Sequence, residues 1–209
     1  MEFHEINKDI KVANGDCLSI LKKIDKNTVD LVLTDPPYNL GLFMKKRSTN
    51  MVQLRKNHFS ATDWDHLSEI DWEKNINSFF QLISQVTKEG GAVIIFMSLM
   101  KVETIIRLAE KHGFYYKTTG VWHKKNPIPR NMNLHFINSV EGWIYFTYKS
   151  KTSTFNNSNK ALHDFIETGL TPASEKKHIS HPTQKPEIII KHFLNVLTNK
   201  KDLVLNVLG

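Results

Sequence analysis

The chain has 209 residues and a formal net charge of +7, with a sequence pI near 9.4; that is length enough for one domain with a sizeable core, and a balance that suits an anionic partner. A single cysteine, Cys17, excludes an internal disulfide framework and a cysteine-built zinc site and fits a reducing compartment. The opening MEFHEINKDI has no apolar run of signal-peptide length and AVIIFM is far short of a membrane span, so a soluble cytoplasmic protein with no membrane partner is expected.

In chain order, CLSILKKI puts Leu18, Leu21 and Ile24 on one helical face. After the turn-prone DKNT, Val29 to Thr34 reads as a buried strand that stops at Asp35. Pro36 and Pro37 follow; neither has an N–H for a sheet ladder, so the backbone must leave regular structure there. The stretch from about 41 to 66 reads as a basic loop, with Lys45, Lys46, Arg47, Arg55 and Lys56 and no acidic residue up to Ser60. From Ile70 to Lys88 a helix is expected, with Ile76, Phe79, Phe80, Ile83 and Val86 inward and Gly90 and Gly91 as its stop. AVIIFM is then a second buried strand, and KVETIIRLAEKHG a helix with Val102, Ile105, Ile106 and Ala109 inward, closed by Gly113. Trp64 and Trp72 read as packing residues.

FYYKTTGVWHK and SVEGWIYFTYK are rich in aromatic and β-branched residues and read as further strands. Between and after them, NPIPRNMN (Asn126 to Asn133) and the polar Ser150 to Ser180 break the pattern, an insertion covering about 124–180. His178 and His181 stand three apart without further ligands nearby and read as loop residues, so no metal is expected. Pro186 opens the apolar-periodic PEIIIKHFLNVL, where proline suits the first helical turn, and DLVLNVL closes the chain as a strand. Strands alternating with helices imply an α/β fold, a doubly wound and mainly parallel sheet in a single domain over 1–209. Ligands bind beyond the carboxyl ends of such strands, which is where Asp35 to Tyr38 fall.

An acid, two prolines and a tyrosine at a strand end suit one kind of chemistry. The exocyclic amine of a nucleobase is a poor nucleophile because its lone pair is delocalised into the ring. A carboxylate and a carbonyl that accept its two N–H bonds let the nitrogen pyramidalise. Asp35 offers the carboxylate and Pro36 the carbonyl, while Pro37 stiffens the loop so that both acceptors stay aimed. Tyr38 offers a ring on which a base drawn out of a duplex can stack. Read alone, the four residues are also an ordinary strand-to-turn junction.

TDPPYNLG resembles the catalytic motif of amino-methylating DNA methyltransferases that use S-adenosylmethionine, and its leading acid resembles the adenine-specific members. HPTQKP, His181 to Pro186, resembles the cofactor-proximal motif of that family, and NGDCLSIL, Asn14 to Leu21, the segment beside the cofactor adenine. Their order is that of the β-type subgroup, and the resemblance spans nearly the whole chain. It implies a Rossmann-like methyltransferase fold and transfer of a methyl group from S-adenosylmethionine to a flipped adenine. Asp35 and the Pro36 carbonyl would take the amine, with Pro37 and Tyr38 completing the motif. Asp16 and Cys17 would border the cofactor adenine; Asp35, His181, Thr183 and Lys185 would lie near its methionine end, where Lys185 could pair with the carboxylate. Arg130 would lie near DNA, and the partners implied are double-stranded DNA, a second copy of the chain and, in a restriction-modification system, a cognate endonuclease.

The sequence departs from that family at its end. A glycine-rich Asp-Pro-Phe-x-Gly-Ser-Gly loop is usual after the last strand, whereas here Asn206, Val207 and Leu208 stand in the first three places and Gly209 is the final residue. A truncated or frameshifted product, or a fragment completed by another chain, with an incomplete cofactor loop and poor cofactor binding, is expected on that ground. Two competitors follow: an impaired remnant that retains DNA binding through the basic loops, and a methyltransferase of RNA or of a protein amide. Relatives of the latter kind usually carry Asn where Asp35 stands.

Overall fold

The computed structural model describes residues 3–40, 67–127, 129, 133, 136–176 and 184–207. The basic loop with Lys45, Lys46, Arg47, Arg55 and Lys56 lies outside them, as do Arg130, His181 and Thr183.

The chain opens with a hairpin, β1 (Phe3–Asn7) and β2 (Ile10–Ala13). Sequence patterning does not mark it, because its apolar residues Phe3, Ile6, Ile10 and Val12 are all exposed and follow no single face. A short helix, α1 (Cys17–Leu21), is capped by Asp16, whose carboxylate accepts from the Ser19 amide at 2.8 Å. Then come β3 (Val29–Thr34), α2 (Glu69–Val86), β4 (Thr87–Met97), a 3-10 turn (Leu99–Lys101), α3 (Val102–Glu110), β5 (Phe114–Lys124), β6 (Val140–Tyr148), β7 (Phe165–Thr168), α4 (Glu187–Leu197) and β8 (Val204–Leu205).

Six strands form one sheet in the order β7-β5-β6-β4-β3-β8. β3 pairs parallel with β4 and with β8, and β5 parallel with β7, while β6 is antiparallel to both β4 and β5. One strand, β6, therefore runs against the other five. The expectation of a mainly parallel sheet holds, with this reversal as its exception.

Both faces of the sheet are covered, which is why its central strands are continuously apolar rather than alternating. One face carries Val93, Ile95 and Met97 of β4 with Ile144 and Phe146 of β6, packed on α1, α2 and α3. The other carries Leu31 and Leu33 of β3, Ala92, Ile94 and Phe96 of β4, and Trp143 and Tyr145 of β6, packed on Ile189, Phe193, Val196 and Leu197 of α4. The period-2 alternation of a strand thus assigns each residue to a helix layer.

Two boundaries differ from those expected from sequence. α2 ends at Val86, before the glycines, and β4 begins at once: the Thr87 hydroxyl donates to the Ile83 carbonyl at 2.7 Å, and Thr87 already pairs with Val29. Gly90 and Gly91 lie inside the strand, in a bulge where the register passes from Val29↔Thr87 to Leu31↔Ala92. Gly90 has φ +76°, and a Cβ at Gly91 would meet Thr87 Cγ2 at 2.6 Å, so glycine serves the bulge rather than a helix stop. Pro186 is the residue before α4 and not its first turn. The Glu187 amide, at the true start of the helix, donates to the Glu175 carboxylate at 2.9 Å. The polar stretch after Ser150 also contributes an element, β7, held to β5 by the register Val121↔Phe165.

Candidate active site

Leu31, Leu33 and Asp35 share one parity on β3 and its exit, as do Ala92, Ile94 and Phe96 on β4. Continuing β3 beyond Thr34 therefore carries Asp35 out at the carboxyl rim of the sheet, on the side covered by α4. Because β6 is reversed, its beginning and not its end reaches that same rim. Glu141, the second residue of β6, has the parity of Trp143 and Tyr145, and Lys124, the last residue of β5, that of Trp122. Lys185 arrives from the segment that leads into α4.

These side chains form one network. The Tyr38 hydroxyl lies 2.7 Å from Asp35 Oδ1 and 2.7 Å from Glu141 Oε1. The Lys185 ammonium pairs with Asp35 Oδ2 and, at 2.7 Å, with Glu141 Oε1. Lys124 pairs with Glu141 Oε2 at 2.9 Å. Lys185 and Glu141 are 9% and 14% exposed at their side chains, so the charges are largely removed from water and depend on one another. Phe96 lies beneath, with its ring centroid 5.2 Å from the Lys185 nitrogen.

The network sets the protonation of its members. Burial alone would raise the Glu141 carboxyl, but Lys185 and Lys124, with hydrogen bonds from Lys185 and Tyr38, outweigh it and hold the group below the ordinary glutamate range. Burial first, and then the adjacent charges of Asp35 and Glu141, push the Tyr38 phenol far above its ordinary value, so it is a neutral donor.

The loop that carries the motif is fixed from below. The Trp72 indole on α2 donates to the Pro37 carbonyl at 3.1 Å, and Trp72 is itself 2% exposed. Lys101 lies over its ring, 4.6 Å from the centroid. Asn39, buried and with φ +51°, donates to the Leu67 carbonyl at 3.1 Å. The Pro37 carbonyl is thereby engaged, whereas the Pro36 carbonyl meets no donor among the described residues.

Of the residues singled out from sequence, Asp35, Tyr38 and Lys185 meet directly, although Lys185 lies 150 positions from Asp35. Asp16 and Cys17 do not join them: the Asp16 carboxylate, held low chiefly by its bond to Ser19, caps α1, and burial raises the Cys17 thiol. Three members of the site are not foreseen from sequence, namely Glu141, Lys124 and the indole of Trp72. Glu141 does leave a signal, as the sole charged residue of VEGWIYFTY.

The chain matches the family model described as DNA methylase over residues 29–206. It is 28% identical over 206 residues to the type II methyltransferase M2.LlaDCHI of Lactococcus lactis subsp. cremoris, covering 93% of this chain and 75% of that protein. It is likewise 28% identical over 214 residues to M2.DpnII of Streptococcus pneumoniae, covering 98% and 78%. Among solved structures, the PvuII cytosine-N4-specific DNA methyltransferase aligns with a TM-score of 0.69 at 16% identity, over 92% of this chain and 71% of that one. The M1.HpyAVI-SAM complex aligns with a TM-score of 0.62 at 18% identity, over 92% and 78%. These structural likenesses extend to the fold. With a family match that runs from the strand carrying Asp35 to the last described strand, the chain belongs to the DNA methylase family.

Proposed function

We propose that this protein is a site-specific DNA adenine methyltransferase that methylates the exocyclic amine of a flipped adenine, in a restriction-modification setting. The observation that carries the reading is the pair of acceptors at the end of β3. Asp35 presents its carboxylate at the rim, and the Pro36 carbonyl stands beside it with no donor among the described residues, while Trp72 occupies the neighbouring Pro37 carbonyl. Two acceptors on a stiffened loop match the two N–H bonds of an amine and localise its lone pair for attack. The Tyr38 ring is the surface on which the base stacks. The acid at position 35 favours adenine; the alternative amine is that of cytosine, on which the PvuII enzyme acts by its name.

S-adenosylmethionine is the proposed methyl donor, and the charges present fit its amino-acid end. Asp35 and Lys185 pair with each other, and an ammonium and a carboxylate on one ligand are what such a pair can exchange partners with. When bound, the cofactor supplies a methyl group already activated on a sulfonium. Asp16, Cys17, His181 and Thr183 are proposed as further contacts. Lys45, Lys46, Arg47, Arg55, Lys56 and Arg130 are proposed to meet DNA, the last within the target-recognition insertion at about 124–180, and a second copy and a cognate endonuclease are proposed partners.

The test is transfer of labelled methyl groups to duplex DNA, with the product nucleoside identified by mass spectrometry. The expected product is N6-methyladenine, lost by at least about a hundredfold in Asp35→Ala. N4-methylcytosine as product would overturn the choice of base, and full activity in Asp35→Ala would overturn the assignment of the site.

A further inference from the structure

Both oxygens of Asp35 are occupied in the structure, Oδ1 by the Tyr38 hydroxyl and Oδ2 by Lys185. Each oxygen keeps a second lone pair, but a carboxylate whose charge already serves an ammonium and a hydroxyl is a weaker acceptor for a target amine. A donor that moves off Asp35 strengthens it, and in a site this enclosed a released ammonium or hydroxyl needs another acceptor at once, because leaving it unpaired is costly.

We propose that Glu141 is a positioning residue for methyl transfer, the second carboxylate that takes over the Tyr38 hydroxyl and the Lys185 ammonium when Asp35 turns to the amine. The inference rests on the reading of Asp35 given above. Three features carry it. Glu141 Oε1 already meets both donors at 2.7 Å, so the handover needs no displacement. The Tyr38 hydroxyl has one proton for two carboxylates, so its bonds to Asp35 and to Glu141 are alternatives, and the structure holds both acceptors in reach. Finally, the formal charges of Asp35, Glu141, Lys185 and Lys124 balance. Without Glu141, Asp35 would be the one carboxylate among the described residues within reach of the Tyr38 hydroxyl, and the one protein carboxylate for Lys185 until a cofactor carboxylate engages it. Lys124 keeps Glu141 in place from its far side, at 2.9 Å.

The test compares wild type, Glu141→Gln, Glu141→Asp and the double variant Tyr38→Phe with Glu141→Gln, at saturating S-adenosylmethionine. Glu141→Gln keeps the shape and removes the charge. It should bind duplex DNA and show a KM for DNA within about twofold of wild type, while kcat falls at least about tenfold, the scale of one charged hydrogen bond. Adding Tyr38→Phe to it removes one competitor for Asp35 and should raise kcat above that of Glu141→Gln alone. A merely structural role predicts instead that the two losses accumulate, with changes in KM and thermal stability. Should Glu141→Gln fail to fold, Glu141→Asp carries the same test, since it retains the charge but draws the acceptor back; its kcat should fall at unchanged KM. Equal kcat in wild type and Glu141→Gln, or accumulating losses in the double variant, would overturn the inference alone. Full methyl transfer by Asp35→Ala would overturn the reading of Asp35 and this inference with it.

Discussion

Trp72 shows how one side chain serves both the core and the site. Its ring is buried among the residues of α2 and the sheet, and its single donor holds the Pro37 carbonyl. Trp72→Phe keeps most of the apolar burial and deletes that bond. The expected cost to stability is about 1 kcal/mol, since a half-buried carbonyl loses its partner, read as a lower urea midpoint with an unchanged slope. If Asp35 and Pro36 take the amine as proposed, methyl transfer should fall more than stability does, because a freed loop no longer aims them; a kcat equal to wild type would show that the prolines alone hold the loop. The aromatic character of Trp72 is plain from sequence, and its burial follows from helical spacing. Its hydrogen bond is not legible there, because it joins residues 35 positions apart through a loop whose path no periodicity encodes.

At the scale of elements, the pattern in the sequence is strongest where both faces of the sheet are covered. β3, β5 and β6 are legible end to end, since β-branched and aromatic runs bounded by turn residues have few other uses. The α2 to β4 junction is misplaced by sequence reasoning because glycine pairs usually end helices, whereas here the β-branched Thr87 both closes α2 and starts the strand. The β1–β2 hairpin escapes notice because none of its residues is buried, and hydrophobic patterning reports burial. Glu141 escapes for a reason of topology. Rules for parallel sheets direct attention to strand ends, and a reversed strand delivers its start to the same rim. Sequence carries no direct mark of strand direction, so the acid inside VEGWIYFTY stands out without having a place to go.

For the molecule as a whole, the carboxylate network ties stability to pH. The Glu141 carboxyl has a folded pKa below its ordinary value of 4.5, so the folded state binds its proton less readily than the unfolded state does. Its contribution is fully present above about 4.5 and is lost as pH falls through the lower folded value. Urea midpoints measured from pH 6 downward should therefore drop more steeply in wild type than in Glu141→Gln, and parallel curves would deny the linkage. The net charge of +7 acts at longer range. If Lys45, Lys46 and Arg47 meet phosphates, replacing all three with alanine should flatten the slope of log affinity against log salt by about 3, close to one unit for each phosphate no longer neutralised; an unchanged slope would place those residues away from DNA.

The reversal of β6 has a consequence for how such a protein can vary. β5 and β6 form an antiparallel pair whose connecting segment leaves from Lys124 and returns at Ser139, where the Lys124 amide bonds the Ser139 carbonyl at 2.7 Å. One step further in, the Lys124 ammonium clasps Glu141. The base of the segment is thus fastened twice, and both fastenings lie beside the chemistry. Both ends of the segment meet at one seam, so an insertion between them that spares Lys124 and Glu141 should leave the four charges at its root in place.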